Sequence, residues 1–163
     1  MKTTTRALGL ADLQAAAKLL ETAISASLHY NAVAKLEEIA ARSVEKLAAN
    51  LEADSWSAIG LFEGEQLAGV VVSNVDAGLL WLGWIVVADA WRGRGLSHGL
   101  MRSFEASATQ RGVHKIWCDS RIGNDASKHL LEQHGYAVVA RLERHWYGLD
   151  YYLWEKFLSV AVT

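Results

Sequence analysis

Along the first third of the chain, apolar residues recur at the three- and four-residue intervals of an α-helix. From Asp12, a suitable N-cap, Leu13, Ala17, Leu20, Ile24 and Leu28 share one face; after "HYN" a second series runs Val33, Leu36, Ala40, Val44, Leu47 and Leu51. The spacing predicts two amphipathic helices. The period then changes. "SAIGLFE", "LAGVVVSN" and "LLWLGWIVV" are short runs of branched and aromatic residues separated by "GEQ" and "VDAG", a pattern that predicts three antiparallel strands joined by tight turns. Helical spacing returns at Leu96, Leu100, Phe104 and Ala108, with Gly112 placed to end the helix. "VHKIWCDS" reads as a strand, and Asn124 caps a helix that carries Ala126, Leu130 and Leu131 up to Gly135. "YAVVARLERHW" and "YYLWEKF" read as two last strands. The order describes a mixed sheet with helices packed on it.

Composition narrows the class. A chain of 163 residues is one domain by size, expected over 1–163, and 52% hydrophobic with 21% charged residues is a globular rather than a disordered mixture. The net charge of −2 is scattered in sign, so neither a nucleic acid nor an anionic membrane is expected as partner. One cysteine makes no internal disulfide, and no apolar run reaches signal-peptide or membrane-spanning length. A soluble cytoplasmic protein is the expectation. The six histidines show no ligand spacing with a matching carboxylate, so no metal is implied.

The chemistry concentrates in "WRGRGLSHG", where Gly93, Gly95 and Gly99 alternate with Arg92 and Arg94 between an apolar strand and a helix. A strand that stops, closely spaced glycines and a helix that starts at once leave a row of backbone N–H groups free at the positive end of a helix dipole. Such a turn can cradle an anion, because glycine permits positive φ angles and keeps no Cβ between the amides and phosphate oxygens. A Walker A loop is excluded, since no lysine occurs between Gly93 and Gly112. A GxGxxG fingerprint matches at Gly93 and Gly95 but has His98 in place of its third glycine.

"VVADAWRGRGLSHGLM" resembles the acetyl-CoA signature of the GCN5-related N-acetyltransferase (GNAT) superfamily, with Arg92 and Gly95 on its first fixed positions and Ser97 as its last small residue. "NDASKHLLEQHGY" resembles the family's late segment, through Asn124, Ala126, Leu130, Gly135 and Tyr136. The resemblance implies an α/β (α+β) fold with a mixed, mostly antiparallel central sheet flanked by helices. It implies acetyl-CoA as co-substrate. Ile85, Val86 and Val87 would then bond the pantetheine arm, the amides of Arg92, Gly93, Arg94, Gly95, Leu96 and Ser97 the pyrophosphate, and Asn124 the pantetheine or the cofactor tail. The implied activity is N-acetyl transfer by direct attack of a primary amine of a small-molecule or amino-acid-like acceptor. The family also points to a homodimer.

Acetyl transfer requires an ammonium of pKa about 10.4 to lose a proton, a donor for the developing oxyanion, and relief of charge on a thiolate of unperturbed pKa near ~8.5. The tyrosine with which many family members protonate the sulfur is Leu131 here, and "LLWLGWIVV" lacks the usual strand acid. Asp119, at the end of the strand after the cofactor helix, is the first candidate base, followed by His145 and Glu143 on the penultimate strand. A non-catalytic acyl-CoA-binding or sensor protein with the same fold is the second reading. Trp81 and Trp84, an odd step apart, are expected on opposite sides of their strand, and with Trp146 and the terminal tyrosines suggest an aromatic-walled acceptor pocket. His29, Tyr30 and Glu37 are candidates for reading a polar group on the acceptor.

Overall fold

A computed structural model describes residues 2–159; Met1 and Val160–Thr163, part of the expected 1–163 domain, lie outside the described residues. Its elements run β1 (Thr3–Ala7), α1 (Leu13–Ala26), α2 (Ala32–Ala40), α3 (Val44–Ala53), β2 (Ala58–Glu63), β3 (Gln66–Asp76), β4 (Leu79–Val87), α4 (Leu96–Ser107), β5 (Lys115–Arg121), α5 (Asp125–Gln133), β6 (Ala137–Leu142) and β7 (Tyr151–Phe157). The seven strands form one sheet in the order β1-β2-β3-β4-β5-β7-β6, antiparallel throughout except where β4 meets β5. Among the described residues no helix is long and apolar enough to cross a membrane.

Three elements depart from the pattern expected of the sequence, each for a local reason. β1 is an edge strand with little apolar content, so its Thr-rich segment shows no buried period. The long second helix is two: α2 ends at Ala40, and Ser43, extended at ψ 159°, accepts a hydrogen bond from Lys46 N and caps α3. α1 stops at Ala26, leaving Leu28, which the helical spacing had included, 96% exposed in the following loop.

Each face of the sheet carries its own core. Leu13, Ala16, Leu20 and Ile24 of α1 and Leu47 of α3 pack with Val70, Val72 and Val86 on one face. Leu100, Met101 and Phe104 of α4 and Leu131 of α5 pack with Val71, Leu80, Leu82 and Trp154 on the other. β4 supplies both, and it does so by changing phase. Its register against β3 runs Val72↔Trp84 and then Ser73↔Leu82, so Gly83 is one residue too many for the ladder. Leu80 and Leu82 therefore face the α4 side, and so do Ile85 and Val87, while Trp84 and Val86 face the α1 side. This corrects the expectation for the two tryptophans: Trp81, which alternates with Leu80 and Leu82, shares the α1-side face with Trp84. A Cβ on Gly83 would lie 3.2 Å from Val72 O, so the absence of a side chain suits the bulge.

The glycine opposite the end of β4 is constrained more tightly. A Cβ at Gly69 would lie 2.9 Å from both the backbone Val86 O and Leu100 Cδ1. Gly69→Ala is therefore expected to push β4 and α4 apart and lower stability by about 1–3 kcal/mol. Urea denaturation measures this directly, and an unchanged midpoint would show that the strand pair yields without cost.

Candidate active site

β4 and β5 pair in parallel only over Leu79–Leu82 and Lys115–Cys118. Beyond these four pairs β4 stays with β3 and β5 stays with β7, so the two strands part and leave a fork between them. A cleft of about 1130 Å³ runs from this fork along the second half of β4 to the start of α4. A smaller cavity of about 130 Å³ lies in the fork itself, lined by residues of both faces, including Tyr30, Gly83, Trp84, Asp119 and Leu131. Ser27, Trp84, Ile85, Asn124, Ser127 and Leu130 border both spaces, which makes them one continuous opening.

At the far end of the cleft the glycine turn adopts the shape its composition demands. Gly93 and Gly95 have φ of +74° and +69°, the left-handed region that side chains resist, and a Cβ on either would project into open space. The amides of Gly93, Arg94, Gly95, Leu96 and Ser97 find no acceptor among the described residues, whereas Arg92 N bonds Asp89 O and His98 N bonds Gly95 O. Five consecutive donors thus surround the N-terminus of α4, a site suited to an anion. The two arginines are already engaged. Arg92 donates its Nε–H to Val87 O and pairs with Asp89; Arg94 pairs with the buried Glu63 at 3.0 Å and stacks over Trp91.

Around the fork, on the α1 side, lies a half-buried charged cluster. Glu38 of α2 accepts hydrogen bonds from Trp84 Nε1 at 2.7 Å and from the Tyr147 hydroxyl at 2.9 Å, and its Oε2 lies 2.8 Å from Arg42 Nη1. One carboxylate thereby ties α2, β4 and the β6–β7 turn together. Asp119 stands beside it. Burial pushes the Asp119 carboxyl up to about 6, the Glu38 charge adds to the rise, and the Trp146 indole and Arg42 oppose it. Burial, with the Asp119 charge adding, keeps the Tyr30 hydroxyl protonated well above its ordinary range, and burial lowers Arg42. Tyr30 packs against Trp84 with ring centroids 5.4 Å apart. The Cys118 thiol is buried and pushed upward, so it is protonated and inert.

The GNAT acetyltransferase family model matches residues 30–136. The chain belongs to this family. Comparison with curated proteins gives no match. Among solved structures, the PaiA N-acetyltransferase of Thermoplasma acidophilum in complex with coenzyme A gives a TM-score of 0.80 at 17% identity, covering 97% of this chain and 100% of that one. The ribosomal-protein-alanine N-acetyltransferase of Brucella melitensis gives 0.78 at 20% identity over 95% and 99%. YncA of Salmonella typhimurium, a putative acetyltransferase with its cofactor acetyl-CoA, gives 0.75 at 18% over 100% and 98%. At these identities the likeness is one of fold, and it agrees with the GNAT fold implied by the glycine turn and the late helix.

Of the GNAT-derived site residues, Ile85, Val86, Val87, Arg92, Gly93, Gly95, Leu96, Ser97 and Asn124 all line the large cleft. Arg94 does not line it. Asn124 caps α5, its Oδ1 accepting from Ser127 N, which leaves its amide nitrogen free toward the opening. Asp119 lines the fork cavity, while Glu143 and His145 are exposed and line neither space. They are not on a strand: β6 stops at Leu142, and the turn that follows takes positive φ at Arg144 and Tyr147. Glu37 points to solvent; its neighbour Glu38 turns inward. Glu38 and Arg42 were missed, although Ala34, Glu38 and Arg42 follow one another at four-residue steps and Ala34 is buried.

The raised Asp119 has a consequence for stability. An unfolded Asp titrates near 3.8 and the folded one near 6, so between these values the folded state holds a proton that the unfolded state has released. This contribution to stability falls as pH rises from 3.8 to about 6, and above that the ionised carboxylate opposes folding. Asp119→Asn is expected to stabilise the protein at pH 8, by up to about 3 kcal/mol, with much less gain at pH 4. Urea denaturation at the two pH values tests it; a variant less stable than the parent at pH 8 would mean that the carboxylate is held by favourable contacts.

Proposed function

We propose that the chain is an acetyl-CoA-dependent N-acetyltransferase whose acceptor is a primary amine on a small or amino-acid-like molecule. The observation that carries this reading is the run of unpartnered amides from Gly93 to Ser97, of which Gly93, Gly95, Leu96 and Ser97 line the same cleft as the unpaired edge of β4, continuous with the fork at Asp119. The fit to coenzyme A is chemical. A diphosphate suits uncharged donors on a helix N-terminus; a pantetheine arm, with its two amides, suits a strand edge such as Ile85–Val87; Asn124 adds a side-chain amide between them. Bound there, the thioester supplies an activated acetyl group.

The chain's own residues meet the remaining demands. Asp119, with a carboxyl near 6, is ionised at neutral pH yet basic enough to take the proton of an ammonium, and it borders the fork. Gly83 lines the same cavity at the bulge of β4, and we assign its backbone N–H to the developing oxyanion. Tyr30, Trp84 and Trp146 surround the acidic centre with aromatic surface, and this favours an acceptor with an apolar body over a long cationic peptide. A second reading, an acyl-CoA sensor without activity, draws on one feature, the buried aliphatic Leu131 where an acid would be useful.

Calorimetric titration is expected to show saturable binding of acetyl-CoA, no binding of NADH or ATP, and loss of binding in Gly95→Asp, whose carboxylate would enter the amide cradle. Absence of acetyl-CoA binding would overturn the reading. With an amine panel, Asp119→Asn is expected to lower kcat by about 100-fold or more while leaving acetyl-CoA affinity unchanged. Thiol release by the parent separates the enzyme from the sensor, and an unchanged pH-rate profile in the variant would remove Asp119 from the mechanism.

A further inference from the structure

We propose that Ser120 is the hydrogen-bond donor to the leaving sulfur, a role that rests on the coenzyme A reading above. One side of its hydroxyl is already taken. Trp154, buried on β7, donates its indole N–H to Ser120 Oγ at 2.9 Å. An indole nitrogen can only donate, so the serine oxygen accepts from that side and its own proton is directed elsewhere. No acceptor for that proton occurs among the described residues, and Ser120 itself is buried. A buried hydroxyl donor without a partner is uncommon and costs free energy until something takes its proton.

The space available to that donor is the fork cavity, which Ser120 lines together with Asp119, Gly83 and Leu131. Asp119 and Ser120 are successive residues of β5, so their side chains leave the strand on opposite faces, and the gap between β4 and β5 is where both faces open into one space. In the tetrahedral intermediate of an acetyl transfer the nitrogen and the sulfur are separate substituents of the reacting carbon, so groups from the two faces of β5 can serve one each. Leu131, which borders the same cavity from α5, offers no donor, and Cys118 is a protonated thiol, a weak donor at best.

The division of labour follows. Asp119 takes the ammonium proton; the freed amine pair forms the C–N bond; the C–S bond breaks with its electron pair settling on sulfur, and the nitrogen's second proton passes to solvent water as the amide forms. Ser120 holds that sulfur by an O–H···S⁻ hydrogen bond and keeps its own proton. Solvent water protonates the departing thiolate. Ser120 thus stabilises charge without having to be acidic, which a serine hydroxyl is not.

Equilibrium binding to the intact protein tests this apart from turnover. Coenzyme A bound to the parent should titrate its thiol, followed by thiolate ultraviolet absorbance, with a midpoint below the free value near ~8.5. Ser120→Ala should raise that midpoint by about one pH unit and weaken coenzyme A binding about tenfold at pH above it, while desulfo-coenzyme A binds both proteins equally. Ser120→Thr, which keeps the hydroxyl, should restore the parent midpoint. If Ser120→Ala does not fold, Trp154→Phe, which leaves the hydroxyl but frees its rotation, must move the midpoint in the same direction. An unmoved midpoint, or one moved instead by Ser127→Ala, overturns the assignment while leaving coenzyme A binding intact. Failure of the parent to bind coenzyme A at all would instead sink the reading on which the assignment rests.

Discussion

Everything at this site depends on two parallel strands that cannot stay together. β4 and β5 share four residue pairs, after which each follows its antiparallel neighbour, β3 or β7. Antiparallel pairing holds both strands on their outer sides, and the right-handed twist of the sheet carries the unpaired ends apart. The divergence exposes one edge of β4 and opens a passage through the sheet from one face to the other. A sheet interior would normally bury such backbone groups with partners. Here the unpaired edge persists beside a cleft, and that pairing of cost and opportunity is why the fork reads as a site rather than a defect. The extra residue at Gly83 adds to it by rotating Trp84 onto the α1 side, where α2 and the β6–β7 turn can reach it.

The acidic centre is held by the same logic of partial satisfaction. Glu38 is saturated by Trp84, Tyr147 and Arg42, and its charge is compensated. Asp119 has weaker support and bears the cost of burial in its raised pKa. A carboxylate so weakly supported is a poor structural element and suits the base role proposed for it. Stability and chemistry therefore pull this residue in opposite directions, while Glu38 serves to keep three elements in place around it.

The glycine turn was legible in the letters because its chemistry is local: closely spaced glycines before a helix admit few conformations, and Gly93 and Gly95 adopt them. The helices and strands of the second half were legible for a similar reason, since caps such as Asn124 and the αL residue Gly112 announce their own ends. What the letters hid was phase. No local signal marks Gly83 as an extra residue, because a bulge is a relation between two strands, and with it went the true placement of Trp81 and Trp84. Glu38 was hidden behind Glu37 for want of one helical step, and the break at Ser43 behind a continuous apolar series. The placing of Glu143 and His145 failed on backbone conformation, since positive φ at Arg144 and Tyr147 ended the strand before it reached them.

The engaged arginines of the turn have a consequence of their own. Because Arg92 and Arg94 already face Asp89 and Glu63, the donors set in place for an anion are the backbone amides of the turn. Such amides have no rotamers to freeze on binding and no counterions to release, whereas flexible cationic side chains lose both mobility and screening atmosphere when they clamp a phosphate. Recognition built this way would be pre-organised and less dependent on ionic strength than a clamp of free arginines. A diphosphate held there as proposed would be gripped by shape more than by ion pairs, so a spent ligand could leave without having to break one.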